Sequence, residues 1–316
     1  LLRGRRPEEK SGGPPGKIHI GISGWRYEGW RGVFYPEKLP QRRELEFASR
    51  QFDTIELNGS FYSLQRPESF SRWCAETPPD FTFAIKGSRY ITHMLRLRNV
   101  EGPLANFFAQ GLLHFGAKLG PILWQFPPNF QFEPERLDLF FAMLPRTRKQ
   151  AAELARNHDE RLDERSWFQV RQDAAVRHAI EIRHESFVNE EFVKLLRRHG
   201  VGLVVADTVE WPLLMDLTSG FVYCRLHGSK ELYSSGYEDE ALDTWARRVV
   251  TWAWGGEVYD GRRASKRDAP KRKRRDVFVY FDNDMKVRAP FDAAQLRDRV
   301  HKLLASSGEA PEGNEG

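Results

Sequence analysis

Apolar and polar residues alternate at eight places along the chain, and each alternating stretch gives way to a loop and usually to a segment with helical spacing. At the first, Ile18, Ile20 and Ile22 share one face while His19 and Gly21 share the other. Later examples are Ile55 and Leu57 against Thr54 and Glu56, Ile180 and Ile182 against Glu181 and Arg183, and Val222, Cys224 and Leu226 against Tyr223, Arg225 and His227. A two-residue period belongs to a strand with two different faces. Strands are predicted over 17–23, 53–58, 81–86, 122–126, 179–183, 201–206, 221–227 and 277–281. Helices are predicted near 44–51, 68–76, 103–116, 134–144, 149–156, 190–198, 238–254 and 291–304. Strands alternating with helices predict a parallel sheet. Eight such repeats in a chain of 316 residues match a closed (β/α)8 TIM barrel of the α/β class. The link 208–220 is too short for a full crossover helix.

The barrel is expected to fill 17–304 as a single domain. A disordered tail rich in Gly, Pro and charge is expected at 1–16, and an acidic tail at 305–316.

On the face opposite the isoleucines stand His19, Glu56, Lys86, Gln125, Glu181, Arg183, Tyr223, Arg225 and His227. That face points into a barrel, where Val, Ile and Leu are usual. Most of these residues are the last or next-to-last of their strand, the end at which TIM barrels carry their active sites. The plainer reading is a self-contained salt-bridge network that serves packing alone. An apolar filling would be as stable or more so, which favours a functional reading. In that reading Lys86, Arg183 and Arg225 clamp a phosphate or carboxylate. Glu56 or Glu181, held ionised among cations, is the base, and His227 carries a proton. Asp207 and Asp282 lie close in sequence, with their directions open.

The reaction predicted is of hydrolase or lyase type on a small anionic substrate, a phosphate ester or a nucleic-acid component. The alternative is a non-catalytic nucleic-acid or nucleotide-binding protein. No cofactor is identified. Glu56, Glu181, Asp207 and His227 could hold a divalent metal, but there is no HExxH and no close His pair, and the arginines compete for the carboxylates. Trp25, Tyr27, Trp30, Phe61, Tyr62, Tyr90 and His93 follow the first three strands. They are expected to roof the same end, capping the core or stacking on a base or sugar.

Charge changes the picture in one place. The stretch 262–275 carries nine Lys and Arg against the single acid Asp268, more than the whole net charge of +5. The remainder is therefore net acidic, and this loop could hold nucleic acid by phosphate contact. It joins a helix to the last strand, which places it at the N-terminal face as a solvated, mobile run. Two cysteines exclude a disulfide scaffold and a four-cysteine zinc site. No apolar run reaches the roughly 20 residues that span a bilayer, and no apolar leader opens the sequence. A cytoplasmic protein without membrane contact is expected.

Taken together, several motifs resemble the YecE-like family, catalogued as domain of unknown function 72. They are Gly21-Ile22-Ser23-Gly24-Trp25 with Phe34-Tyr35-Pro36, Glu56-Leu57-Asn58 with Phe61-Tyr62, Phe83-Ala84-Ile85-Lys86 and Thr92-His93. They continue through Gln125-Phe126-Pro127-Pro128, Glu181-Ile182-Arg183-His184, Arg225-Leu226-His227-Gly228 and Tyr280-Phe281-Asp282-Asn283-Asp284. The resemblance implies a TIM barrel and no established reaction. It adds Asn58, Gln125, Asp282 and Asn283 to Trp25, Tyr62 and His93 as candidate substrate-binding residues. Relative to the commonest family pattern, 255–275 is an insertion, so its role is not inherited.

Overall fold

The isoleucine-bearing stretches become hydrogen-bonded strands in a computed structural model that describes residues 13–228, 236–283 and 286–308. The strands are β1 (Ile18–Ser23), β2 (Thr54–Leu57), β3 (Thr82–Lys86), β4 (Leu119–Gln125), β5 (His178–Glu181), β6 (Gly202–Asp207), β7 (Phe221–Leu226) and β8 (Asp276–Phe281). They pair in sequence order, all parallel, and β8 returns to β1 to close the barrel. The helices are α1 (Glu44–Gln51), the single turn α2 (Gly59–Tyr62), α3 (Pro67–Glu76), α4 (Glu101–Ala109) and α5 (Pro134–Met143). They continue with α6 (Arg148–Ala155), α7 (Glu190–His199), α8 (Asp239–Ala253) and α9 (Ala289–Gly308). No helix among the described residues is long and apolar enough to cross a membrane.

Two apolar zones sit on either side of the sheet. The outward faces of the strands pack under the helices, with Ile20, Ile22, Ile55, Ile85, Ile180 and Val279 all buried there. Inside the barrel Ala84, Leu123, Ala179, Val204, Tyr223, Phe278 and Tyr280 form a second, smaller cluster. The interior is therefore apolar and aromatic through its lower and middle levels. Charge is concentrated at the C-terminal end. His19 is at the other end, paired with Asp53 at 2.9 Å and stacked on Phe278, so it leaves the polar group expected from its strand face.

Several expectations are corrected. The helix expected over 103–116 ends at Ala109 because Gly111 takes a left-handed φ of 114°. A Cβ there would meet the Pro67 backbone at 2.7 Å, so only glycine fits. Strand β5 stops at Glu181, which leaves Arg183 on the loop beyond. Helix α9 continues to Gly308, into the expected acidic tail. Gly16, expected in a disordered tail, donates its N–H to the Ala253 carbonyl at 2.9 Å. Residues 1–12, 309–316 and Asp284 of the last motif lie outside the described residues.

The stretch 255–269 is packed against the barrel flank, and Lys271, Arg272, Lys273 and Arg274 keep the expected exposure, Arg272 lying beside Gly220 at the N-terminal start of β7. The link between β6 and β7 has no helix, and this segment covers it. Asp216 of the link accepts the backbone N–H groups of Ala264 and Ser265 at 2.7 and 3.0 Å. Met215 N–H bonds the Arg262 carbonyl at 2.9 Å, and Ala269 is buried. Arg275, itself buried, donates to the carbonyls of Gly255, Gly256 and Pro270. Arg262 reaches Glu185, on the loop after β5.

Candidate functional site

The mouth is built from strand ends, with Arg225 of β7 as its hub. Through Nε and Nη2 Arg225 donates to both oxygens of Glu56 on β2, at 3.1 and 2.9 Å. Nη1 donates to Glu181 of β5 at 2.6 Å, and Nη2 also donates to Asp282 beyond β8 at 2.8 Å. Glu56 accepts two more bonds, from Ser23 Oγ and Tyr223 OH, each at 2.6 Å. Its four acceptor positions are thus filled from within the barrel. Asn58 Nδ2 donates to Ser23 Oγ at 2.9 Å, and its Oδ1 is buried with no hydrogen bond among the described residues.

Glu181 is clamped from a second side. Arg183 Nε lies 2.8 Å from Oε1, and the Arg183 guanidinium stacks 3.9 Å from the Trp211 ring centre. Burial acts to raise the Glu181 pKa, but Arg225 and Arg183 outweigh it and hold the carboxyl well below its ordinary range. Asp282 behaves the same way: burial opposes its charge, and Arg225 overrides burial. His227 is fully buried, with Nδ1 3.1 Å from Asp282 and Nε2 3.7 Å from Glu181. Trp211 meets it edge-on at 5.4 Å.

Lys86, at the end of β3, stands apart. Its backbone is fixed by Ser60 Oγ on the carbonyl at 2.7 Å and by strand register with Leu123. The side chain is 8% exposed, and its ammonium makes no hydrogen bond or ion pair among the described residues. Nζ rests instead 4.3 Å from the centre of the Phe61 ring. Burial, then the charge of Arg225, lowers its pKa to about 8. His93 meets the Phe61 ring edge-to-face at 5.2 Å and bonds Thr92 Oγ1 at 2.8 Å. Burial, then Lys86, Arg183 and Arg89, lowers the His93 pKa to about 4. Gln125, in register with Glu181, completes the ring of strand ends.

The structure thus brings together Glu56, Glu181, His227, Lys86, Arg183, Arg225, Asp282, Asn58, Gln125 and His93. Trp25 does not join them. It is 7% exposed and packs on Trp73 of α3 at 5.6 Å, beside a surface cleft of about 440 Å³. Asn283 turns away to bond Asp292 of α9 at 2.8 Å. Tyr62 is 66% exposed and offers its ring to Arg89 on the rim. Asp207 faces outward, accepting from Trp245 Nε1 at 3.2 Å, which breaks up the proposed metal quartet. No group of three or more His, Cys, Asp or Glu suited to a metal ion occurs among the described residues. Ser23, Phe61 and Tyr223 also belong to the site; Phe61 was expected in the aromatic roof, while Ser23 and Tyr223 stood out in the sequence as part of a motif and of a strand face. Trp211 gave no sequence signal, because nothing in a short link marks which way an aromatic turns.

The model of the family described as "Protein of unknown function DUF72" matches residues 19–314. A DUF72 family protein of Thermotoga maritima superposes with a TM-score of 0.67 at 25% identity, over 90% of this chain and 99% of that one. One from Enterococcus faecalis gives 0.63 at 15% identity, a likeness of fold alone. UPF0759 protein YunF of Bacillus subtilis is 30% identical over 125 residues, 38% of this chain and 43% of that protein. UPF0759 protein YecE of Escherichia coli is 31% identical over 144 residues, 40% of this chain and 50% of that protein. The match therefore spans half or less of these curated relatives.

Proposed function

Because the chain belongs to the DUF72 family, whose function is unknown, no reaction comes with its barrel, and we propose that it is a lyase- or hydrolase-type enzyme taking a small anionic substrate at the C-terminal mouth. The observation that carries this reading is the placement of cations on aromatic faces at the mouth, Lys86 on Phe61 and Arg183 on Trp211, with His93 against the same Phe61 ring. A positive field that, with burial, keeps an imidazole neutral down to about pH 4 also stabilises an anion placed beside it.

Arg183 is already oriented by Glu181 and Trp211, so little of its freedom remains to be lost on binding. Arg225 and Glu56 are positioning residues in this reading, not the clamp and base expected of them. Each is saturated by the other and by its neighbours, and releasing either leaves a buried charge unpaired. His227 beside Asp282 is the proton carrier.

A thermal-shift panel of phosphate, sugar phosphates and short carboxylates tests the reading. A stabilising anion whose effect shrinks in Arg89→Ala supports it, and no shift from any of them sinks it. A second reading, nucleic acid held by phosphate contact, is supported by Lys271, Arg272, Lys273 and Arg274. All four are exposed and form no ion pair among the described residues. Oligonucleotide affinity that falls steeply with salt, and vanishes with those four residues replaced by Ser, would favour it.

A further inference from the structure

We propose that the Lys86 amine is a nucleophile toward carbonyl carbon, and that the substrate is a small oxo acid joining an aldehyde or ketone to an anionic group. The proposal rests on the anionic-substrate reading above and names the class within it.

The distribution of partners in the mouth points this way. Arg225 is matched by Glu56, Glu181 and Asp282, and Arg183 by Glu181. A lysine placed for charge balance would share one of these carboxylates. Lys86 shares none, although Glu56, Glu181 and Asp282 all act on it from nearby. Its amine lies instead on an aromatic face, on a strand end whose backbone is tied down by Ser60. Burial beside another cation is how a protein keeps a lysine amine neutral and nucleophilic near neutral pH, and burial followed by Arg225 lowers this one to about 8. The anion-favouring field at His93 adjoins the same ring, so one molecule could place its charge there and its carbonyl at Lys86.

In the step proposed, the Nζ lone pair adds to the carbonyl carbon and the C=O π pair goes to oxygen. Proton transfer gives a neutral carbinolamine. A proton delivered to its hydroxyl, for which His227 beside Asp282 is the group at hand, lets that hydroxyl leave as water. The nitrogen lone pair then forms the C=N bond of a protonated imine. A hydride from cyanoborohydride reduces this to a secondary amine that no longer hydrolyses.

The full chain is incubated near pH 7.5 with glyoxylate or pyruvate and cyanoborohydride, then digested and mapped by mass. Lys86 should gain the mass of the ligand less one oxygen atom, on the order of a hundredfold more than the exposed Lys149, as its neutral amine fraction requires. Excess phosphate should protect it, and Lys86→Arg should lose the label. Labelling of Lys86 no greater than that of Lys149, while phosphate still raises Tm, overturns the nucleophile and leaves the anion site standing. Absence of both the label and the phosphate shift overturns both readings.

Discussion

Arg225 presents its Nε and Nη2 edge to both oxygens of Glu56, at 3.1 and 2.9 Å, with neither side chain exposed to solvent. The pair joins β7 to β2 across the barrel interior, and Glu181 and Asp282 extend it to β5 and β8. Removing one member of a buried pair strands the other charge. Arg225→Ala should therefore cost about 3–5 kcal/mol, read as a drop in the urea midpoint. An unchanged midpoint would show that the network contributes nothing to the fold.

Acid should dismantle the same network. Burial acts to raise Glu181 and Asp282, but the cations, Arg225 foremost, hold both below the ordinary carboxylate range. The folded state then binds fewer protons than the unfolded one, so this stability is present above an unfolded pKa of about 4 and is lost as pH falls further. Urea titrations from pH 6 to pH 3 should show a steep loss in the wild type and a shallower one in Arg225→Met. Equal slopes would count against the assignment.

Lys86 predicts the opposite edge of the pH scale. Its folded pKa of about 8 lies below the ordinary 10.5, so the charged form is a cost to the fold, fully present below about pH 8 and relieved as pH rises to about 10.5. The groups acting on it are Arg225, Asp282, Glu56 and Glu181, with Phe61 beneath. Lys86→Met should be more stable than wild type at pH 7 by on the order of 2–3 kcal/mol, with the gap narrowing toward pH 10. Anion affinity in the wild type should fall as pH rises through about 8. An affinity flat from pH 6 to pH 9.5 would remove Lys86 from the site.

The segment 255–275 yields a contrast between its anchors and its exposed basic residues. Asp216→Ala deletes two charge-assisted bonds to backbone N–H groups and should cost about 2–3 kcal/mol, with faster amide exchange along β6 and β7. Lys271→Ser with Lys273→Ser touches only exposed side chains and should stay within about 0.5 kcal/mol of wild type. Exchange at β6 and β7 that ignores Asp216→Ala would mean that the segment does not cover them.

The barrel was legible because Ile18, Ile20, Ile22, Ile55, Ile180 and Ile182 alternate with residues that cannot face the helices. Period and repeat number then leave few topologies. The level at which charge gathers was legible too, since Glu56, Lys86, Glu181 and Arg225 stand at strand ends. What alternation does not carry is which of these meet. Glu56 and Arg225 are 169 residues apart, and their contact depends on the stagger of the closed sheet. Loop residues were less legible still. Trp25 went to Trp73, Asn283 to Asp292 and Trp211 to Arg183, each by packing that no local spacing encodes.

The cover supplied by 255–275 also bears on how the chain is made. Ribosomes deliver the β6–β7 link roughly forty residues before the segment that covers it, and chains fold from the N-terminal end as they emerge. Until that segment arrives, the link between β6 and β7 lacks its cover, on a barrel whose eighth strand has still to emerge. The nascent protein therefore passes through an interval in which a chaperone or a second nascent chain could occupy the place its own late residues will take.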